Sequence, residues 1–145
     1  MTETLKILTD LLKKFEGCKL KAYPDPGTGG EPWTIGYGST HGVKKGDVIT
    51  QEQADEMLLE EAQEYLDSAL QLSPRLRSAT PSQQAAIASF VYNCGAGNYK
   101  KSTLKRNVDA GDFNEAKHSI MMWNKANGKV MNGLTRRRQA EADLL

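Results

Sequence analysis

Three residues near the start of the chain carry side chains that together suit acid–base chemistry: Glu16, Asp25 and Thr34, with eight residues between each and the next. One carboxylic acid can protonate a leaving oxygen, a second carboxylate can assist or make the attack, and a hydroxyl can orient water. That set is what cleavage of an acetal bond between sugars requires. Glu16 falls in the last turn of a predicted helix beside Leu12 and Phe15, where the negative helix end and apolar neighbours oppose a carboxylate and suit an acid. Asp25, in Pro24-Asp25-Pro26-Gly27, lies in a turn near water and backbone donors, which suits a charged carboxylate. With 18 acids in 145 residues such pairs also arise by chance, and Asp25 before Pro26 is equally an ordinary turn residue.

The elements that must hold these residues follow from periodicity. Leu5, Leu8, Leu12 and Phe15 mark an amphipathic helix over 3–16, stopped by Gly17. From Cys18 to Ile49 prolines, glycines and short alternating pieces such as Thr34-Ile35-Gly36-Tyr37 predict a small irregular hairpin, a costly segment to order unless it holds a site. Thr50 with Gln53 forms a capping box that opens a long acidic helix ending before Pro74. Further helices are expected from Pro81 to Asn93, from Ser102 to about Asp109, from Asp112 through Ala126, and from near Thr135 onward. Trp123 with Met121 and Met122 reads as core at helical spacing. Arg136, Arg137 and Arg138 read as a solvated run, a patch that attracts an anionic surface or an internal salt-bridge group.

Composition excludes several classes. Nineteen bases against 18 acids give a net charge of +1, unlike the strongly basic balance of nucleic-acid binders. Residues 1–72 hold seven bases and thirteen acids, and residues 73–145 hold twelve and five, so the chain is bipolar along its length. Cys18 and Cys94 form no CxxC, and His41 and His118 form no metal-ligand spacing, so neither a metal nor a cofactor is expected. The two cysteines read as reduced, small buried side chains. Lys6, Asp10, Lys13 and Lys14 interrupt the first apolar segment, so no signal peptide or membrane insertion is expected.

The run Glu16-Gly17-Cys18-Lys19-Leu20-Lys21-Ala22-Tyr23-Pro24-Asp25, followed by Trp33-Thr34-Ile35-Gly36-Tyr37-Gly38, closely resembles the active-site region of the phage-type lysozymes, the endolysins of glycoside hydrolase family 24. The resemblance continues through Val48-Ile49-Thr50, Ser89-Phe90-Val91-Tyr92-Asn93-Cys94-Gly95 and Asn132-Gly133-Leu134-Thr135-Arg136-Arg137-Arg138-Gln139-Ala140-Glu141, so it covers essentially the whole chain. It implies an α+β, mostly helical, two-lobed lysozyme-like fold in one domain, 1–145. A hairpin lobe of about 17–49 and a connecting helix of about 50–72 would join a helical lobe of about 73–145 with the N-terminal helix 3–16, around a cleft. Ser39 stands where some members have His, with His41 either replacing it or lying exposed, and Gly27-Thr28-Gly29-Gly30 lengthens the turn after Asp25.

The resemblance implies hydrolysis of the β-1,4 bond between N-acetylmuramic acid and N-acetylglucosamine in bacterial peptidoglycan, causing host cell lysis. Glu16 would be the general acid, Asp25 the assisting carboxylate and Thr34 the hydroxyl that positions water. Thr40, Tyr92 and Thr103 would touch the glycan, with packing or capping as their alternative roles. The protein would act as a monomer, wait in the host cytoplasm, and reach the wall when a holin permeabilises the membrane. A lytic transglycosylase and a non-catalytic peptidoglycan-binding module are the alternatives.

Overall fold

Leu5, Leu8 and Leu12 close one face of α1, Glu3–Phe15, in the computed structural model, which describes residues 1–145. Leu8 and Leu12 are fully buried, each contributing roughly 1.5–3 kcal/mol of transfer from water. Thr2 Oγ1 accepts a hydrogen bond from the Leu5 N–H at 3.2 Å, and Lys13 and Lys14 sit in the last turn, where the dipole is negative. The chain divides into two compact units, residues 9–61 and residues 1–8 with 62–145.

In the unit of residues 9–61, β1 (Lys19–Tyr23) and β2 (Thr34–Gly36) run antiparallel, with Lys19 opposite Gly36 and Tyr23 opposite Thr34. Between those pairs β1 advances four residues and β2 two, so the ladder is irregular. The segment around Val48 borders β1, with Ala22 N–H donating to Asp47 O at 2.9 Å and Ile49 N–H to Leu20 O at 2.8 Å. Beyond β2, Ile35 and Ser39 exchange backbone hydrogen bonds, both at 2.9 Å, across a tight reversal. Gly36 and Gly38 adopt φ of 63° and 93° there, which side-chain-bearing residues rarely tolerate. Thr50 and Gln53 make the expected capping box at 3.1 and 2.9 Å, opening α2, Gln51–Leu72. Leu11, Leu12, Ala22, Ile35, Tyr37, Ala54 and Leu58 form the core of this unit.

The other unit is built around α3, Pro81–Cys94, in which every residue from Ala85 to Val91 is buried. Small alanines on several faces let neighbours approach it from all sides. A 3-10 turn, Pro74–Ser78, precedes it, and α4 (Ala96–Lys100), α5 (Thr103–Asp109), α6 (Phe113–Met121) and α7 (Asn132–Leu144) follow. Phe90 meets Tyr99 and Trp123 edge-on, with ring centroids 6.1 and 5.5 Å apart. The phenol of Tyr99 lies 2.7 Å from Ser73 Oγ in the interior, and burial pushes it well above the ordinary tyrosine range.

Three expectations are corrected here. The helix opened by Asp112 ends at Met121 instead of running to Ala126, because Asn127 and Gly128, with φ of 52° and 77°, form the turn of a short hairpin, β3 (Lys125–Ala126) with β4 (Lys129–Val130). Asn-Gly is a strong two-residue hairpin signal, since both positions need positive φ. Accordingly Met122 is 70% exposed and not core, while Trp123 is half-buried against Phe90. The last helix starts at Asn132, three residues before Thr135, which accepts a side-chain bond from Asn124 within the helix body. Arg136 is exposed, but Arg137 and Arg138 are buried in ion pairs with Glu141, so the internal salt-bridge reading applies to these two.

Candidate active site

Glu16, Asp25, Thr34 and Thr40 all belong to the unit of residues 9–61. Glu16 directly follows α1, its N–H donating to Leu12 O at 2.8 Å, and it is half-buried. The last helical turn therefore fixes its backbone. Three residues later β1 begins at Lys19, opposite Gly36, so Glu16 enters one end of the two-stranded ladder.

Asp25 and Thr34 stand at the other end, where Tyr23 pairs with Thr34 and Asp25 lies two residues beyond the pairing. Asp25 organises the turn: Oδ2 accepts from Gly27 N–H at 2.9 Å and Thr28 N–H at 3.1 Å, while its own N–H donates to Gly30 O at 2.9 Å. The longer glycine turn is thus closed on the carboxylate it surrounds. Thr34 opens β2 after the cis peptide Glu31-Pro32, and its Oγ1 makes a long contact of 3.5 Å to Pro32 O. A contact at that length is a weak hydrogen bond and lets the hydroxyl turn toward another partner.

Thr40 is exposed and lines a cavity of about 440 Å³ with Glu31, Pro32, Trp33 and Val43. Trp33 adjoins Thr34 and gives this cavity an aromatic wall. Sequence reading passed over it, although a tryptophan directly before the predicted site hydroxyl was a usable signal. Tyr92 and Thr103 belong to the other unit. Tyr92 packs edge-on against Tyr65 at 4.9 Å, and Thr103 Oγ1 accepts from Arg106 at 3.0 Å. His41 is exposed in its loop.

A second polar group in the residue 9–61 unit also escaped the sequence. Tyr37 Oη donates to Asp55 Oδ1 at 3.0 Å, Gln51 Nε2 lies 3.0 Å from both, and Lys13 Nζ is 3.7 Å from the same carboxylate oxygen. Hydrogen bonds from Gln51 and then Tyr37 hold the Asp55 carboxyl below its ordinary value. Burial, reinforced by Asp55, pushes the Tyr37 phenol up. No sequence signal separates Asp55 from Glu52 or Glu56 in the acidic first turns of α2.

Residues 13–141 match the phage lysozyme family. The endolysin of Bacillus phage B103 is 40% identical over 136 residues, covering 93% of this chain and 51% of that protein, so the chain spans about half its length. The endolysin of Acyrthosiphon pisum secondary endosymbiont phage 1 is 41% identical over 138 residues, covering 92% and 91% respectively. Among solved structures, the muramidase domain of SpmX from Asticaccaulis excentricus superposes with a TM-score of 0.82 at 31% identity, over 94% of this chain and 92% of that one. The endolysin from Escherichia coli O157:H7 phage FAHEc1 gives 0.81 at 32%, over 96% and 90%. Matched over residues 13–141, the chain belongs to the phage lysozyme family.

Proposed function

We propose that this chain is an endolysin-type muramidase that hydrolyses the β-1,4 bond between N-acetylmuramic acid and N-acetylglucosamine of peptidoglycan. As a phage lysozyme it is a glycoside hydrolase. The observation that carries the reading is the setting of Glu16, Asp25 and Thr34 about the two ends of one short ladder, each on backbone fixed by local hydrogen bonds. In this reading Glu16 protonates the glycosidic oxygen, Asp25 supports the attack at the anomeric carbon, and Thr34 orients the water. Thr40 and Trp33 receive the glycan in the cavity they line, and Tyr92 and Thr103 are further glycan contacts in this reading. The protein acts as a monomer, held in the host cytoplasm until a holin opens the membrane. In accord with this, no helix is long and apolar enough to cross a membrane.

The test is turbidity clearance of outer-membrane-permeabilised cells by wild type, Glu16→Gln and Asp25→Asn, with mass spectrometry of the products. Wild type is expected to release reducing ends, and loss of the general acid lowers turnover by roughly 10²–10⁴-fold. Equal clearance by all three proteins overturns the mechanism. Products ending in 1,6-anhydro sugars identify a transglycosylase instead.

A further inference from the structure

The catalytic reading leaves unexplained why four side chains from three separate segments converge beside β2. Lys13 comes from the last turn of α1, Tyr37 from just past β2, and Gln51 and Asp55 from the first turns of α2. Asp55 Oδ1 is the shared acceptor, reached by Tyr37 Oη and Gln51 Nε2 at 3.0 Å each, with Lys13 Nζ at 3.7 Å. Gln51 Oε1 faces the Cys18 thiol at 3.8 Å. Tyr37 is only 7% exposed, so its hydroxyl needs a partner in place.

We propose that Asp55 is a positioning residue that sets the separation between Glu16 and Thr34. Lys13 lies three residues before Glu16, one helical turn away, and Tyr37 lies three residues after Thr34 on a segment stiffened by the reciprocal Ile35 and Ser39 bonds. The carboxylate therefore joins the two segments that present the acid and the hydroxyl, and the first turns of α2 are the element to which both are tied. Lys13 and Asp55 are each more than two-fifths exposed, so their ion pair adds little to stability. Position is different: an error of about 1 Å in a catalytic group can cost about 10²-fold in rate. Loss of Asp55 is thus expected to damage turnover far more than folding. The inference rests on the muramidase reading.

The test measures kcat and KM on a soluble peptidoglycan oligosaccharide, with the folded fraction followed by circular dichroism at the assay temperature. Asp55→Ala is expected to lower kcat roughly 10- to 100-fold, with KM within about threefold and the folded fraction unchanged. Tyr37→Phe should lower kcat by about 3- to 10-fold, and adding it to Asp55→Ala should cost little more, because both remove one network. A folded Asp55→Ala protein with kcat within about twofold of wild type overturns the proposal. So does a loss that falls wholly on KM or that matches a loss of folded protein. If Asp55→Ala does not fold, the isosteric Asp55→Asn is judged by the same criteria. Wild type and Glu16→Gln are measured first; if neither releases reducing ends, the muramidase reading has failed and this inference falls with it.

Discussion

In the proposed mechanism Asp25 uses one carboxylate for two tasks. Both of its backbone hydrogen bonds, to Gly27 and Thr28, fall on Oδ2, which leaves Oδ1 to meet water or a sugar. The turn and the chemistry can therefore be separated by substitution. Asp25→Asn keeps an acceptor for the turn and is expected to hold thermal stability while activity drops by about 10²-fold or more. Asp25→Ala removes the turn bonds as well and should lose a further 0.5–1.5 kcal/mol or so of stability. Denaturant melts and cell-clearing rates on the same preparations decide the matter; a fully active Asp25→Asn would reduce this residue to a turn former. At this scale the sequence was informative where a side chain acts on its own backbone. It was uninformative where, as for Asp55, the role depends on a tyrosine and a lysine brought in by folding.

Among the elements, the joint between α3 and α7 shows most plainly what packing adds. Arg138 is fully buried, its Nε 2.7 Å from Glu141 Oε1, its Nη2 2.7 Å from Asn93 Oδ1, and its guanidinium 5.2 Å above the Phe90 ring. Ser89 donates to Glu141 Oε2 at 2.5 Å, and burial pushes the Glu141 carboxyl up against the opposing pull of Arg138. Removing one partner strands the other in the interior. Glu141→Leu is expected to destabilise the fold by about 3–5 kcal/mol, and adding Arg138→Met should recover part of that loss, although Arg137 then also lacks the carboxylate. Urea denaturation of wild type, Arg138→Met, Glu141→Leu and the double variant measures this, and additive losses would contradict it. Helix starts at Thr50 and Thr80 were legible because capping is local chemistry, and Thr80 with Gln83 forms its box as well. The course from Met121 to Thr135 was misread because the apolar periodicity of the Met-Met-Trp segment was followed as far as Ala126, whereas the Asn127-Gly128 turn signal demands a short strand on either side of it. Nor could an arginine run declare its burial, since only the partners on α3 and the Glu141 carboxylate make that burial tolerable.

For the molecule as a whole, the near balance of 19 bases and 18 acids conceals a separation that bears on how it meets a cell wall. Residues 50–72 alone hold seven acids and no base, while residues 73–145 hold twelve bases and five acids. Arg137, Arg138 and Glu141 are buried, so the outward field of that second stretch comes from the other ten bases and four acids. Such an excess is expected to draw the protein to anionic wall polymers. Sedimentation with purified walls should show binding weakening several-fold between about 0.05 and 0.5 M salt, and salt-independent binding would remove the electrostatic account. Cys94 gives this picture a further consequence. Its thiol is half-buried against the Arg138 guanidinium, burial pushes it away from the reactive thiolate, and neither it nor Cys18 is joined to another sulfur. The fold thus carries no covalent staple, and thermal melts with and without a reducing agent are expected to coincide.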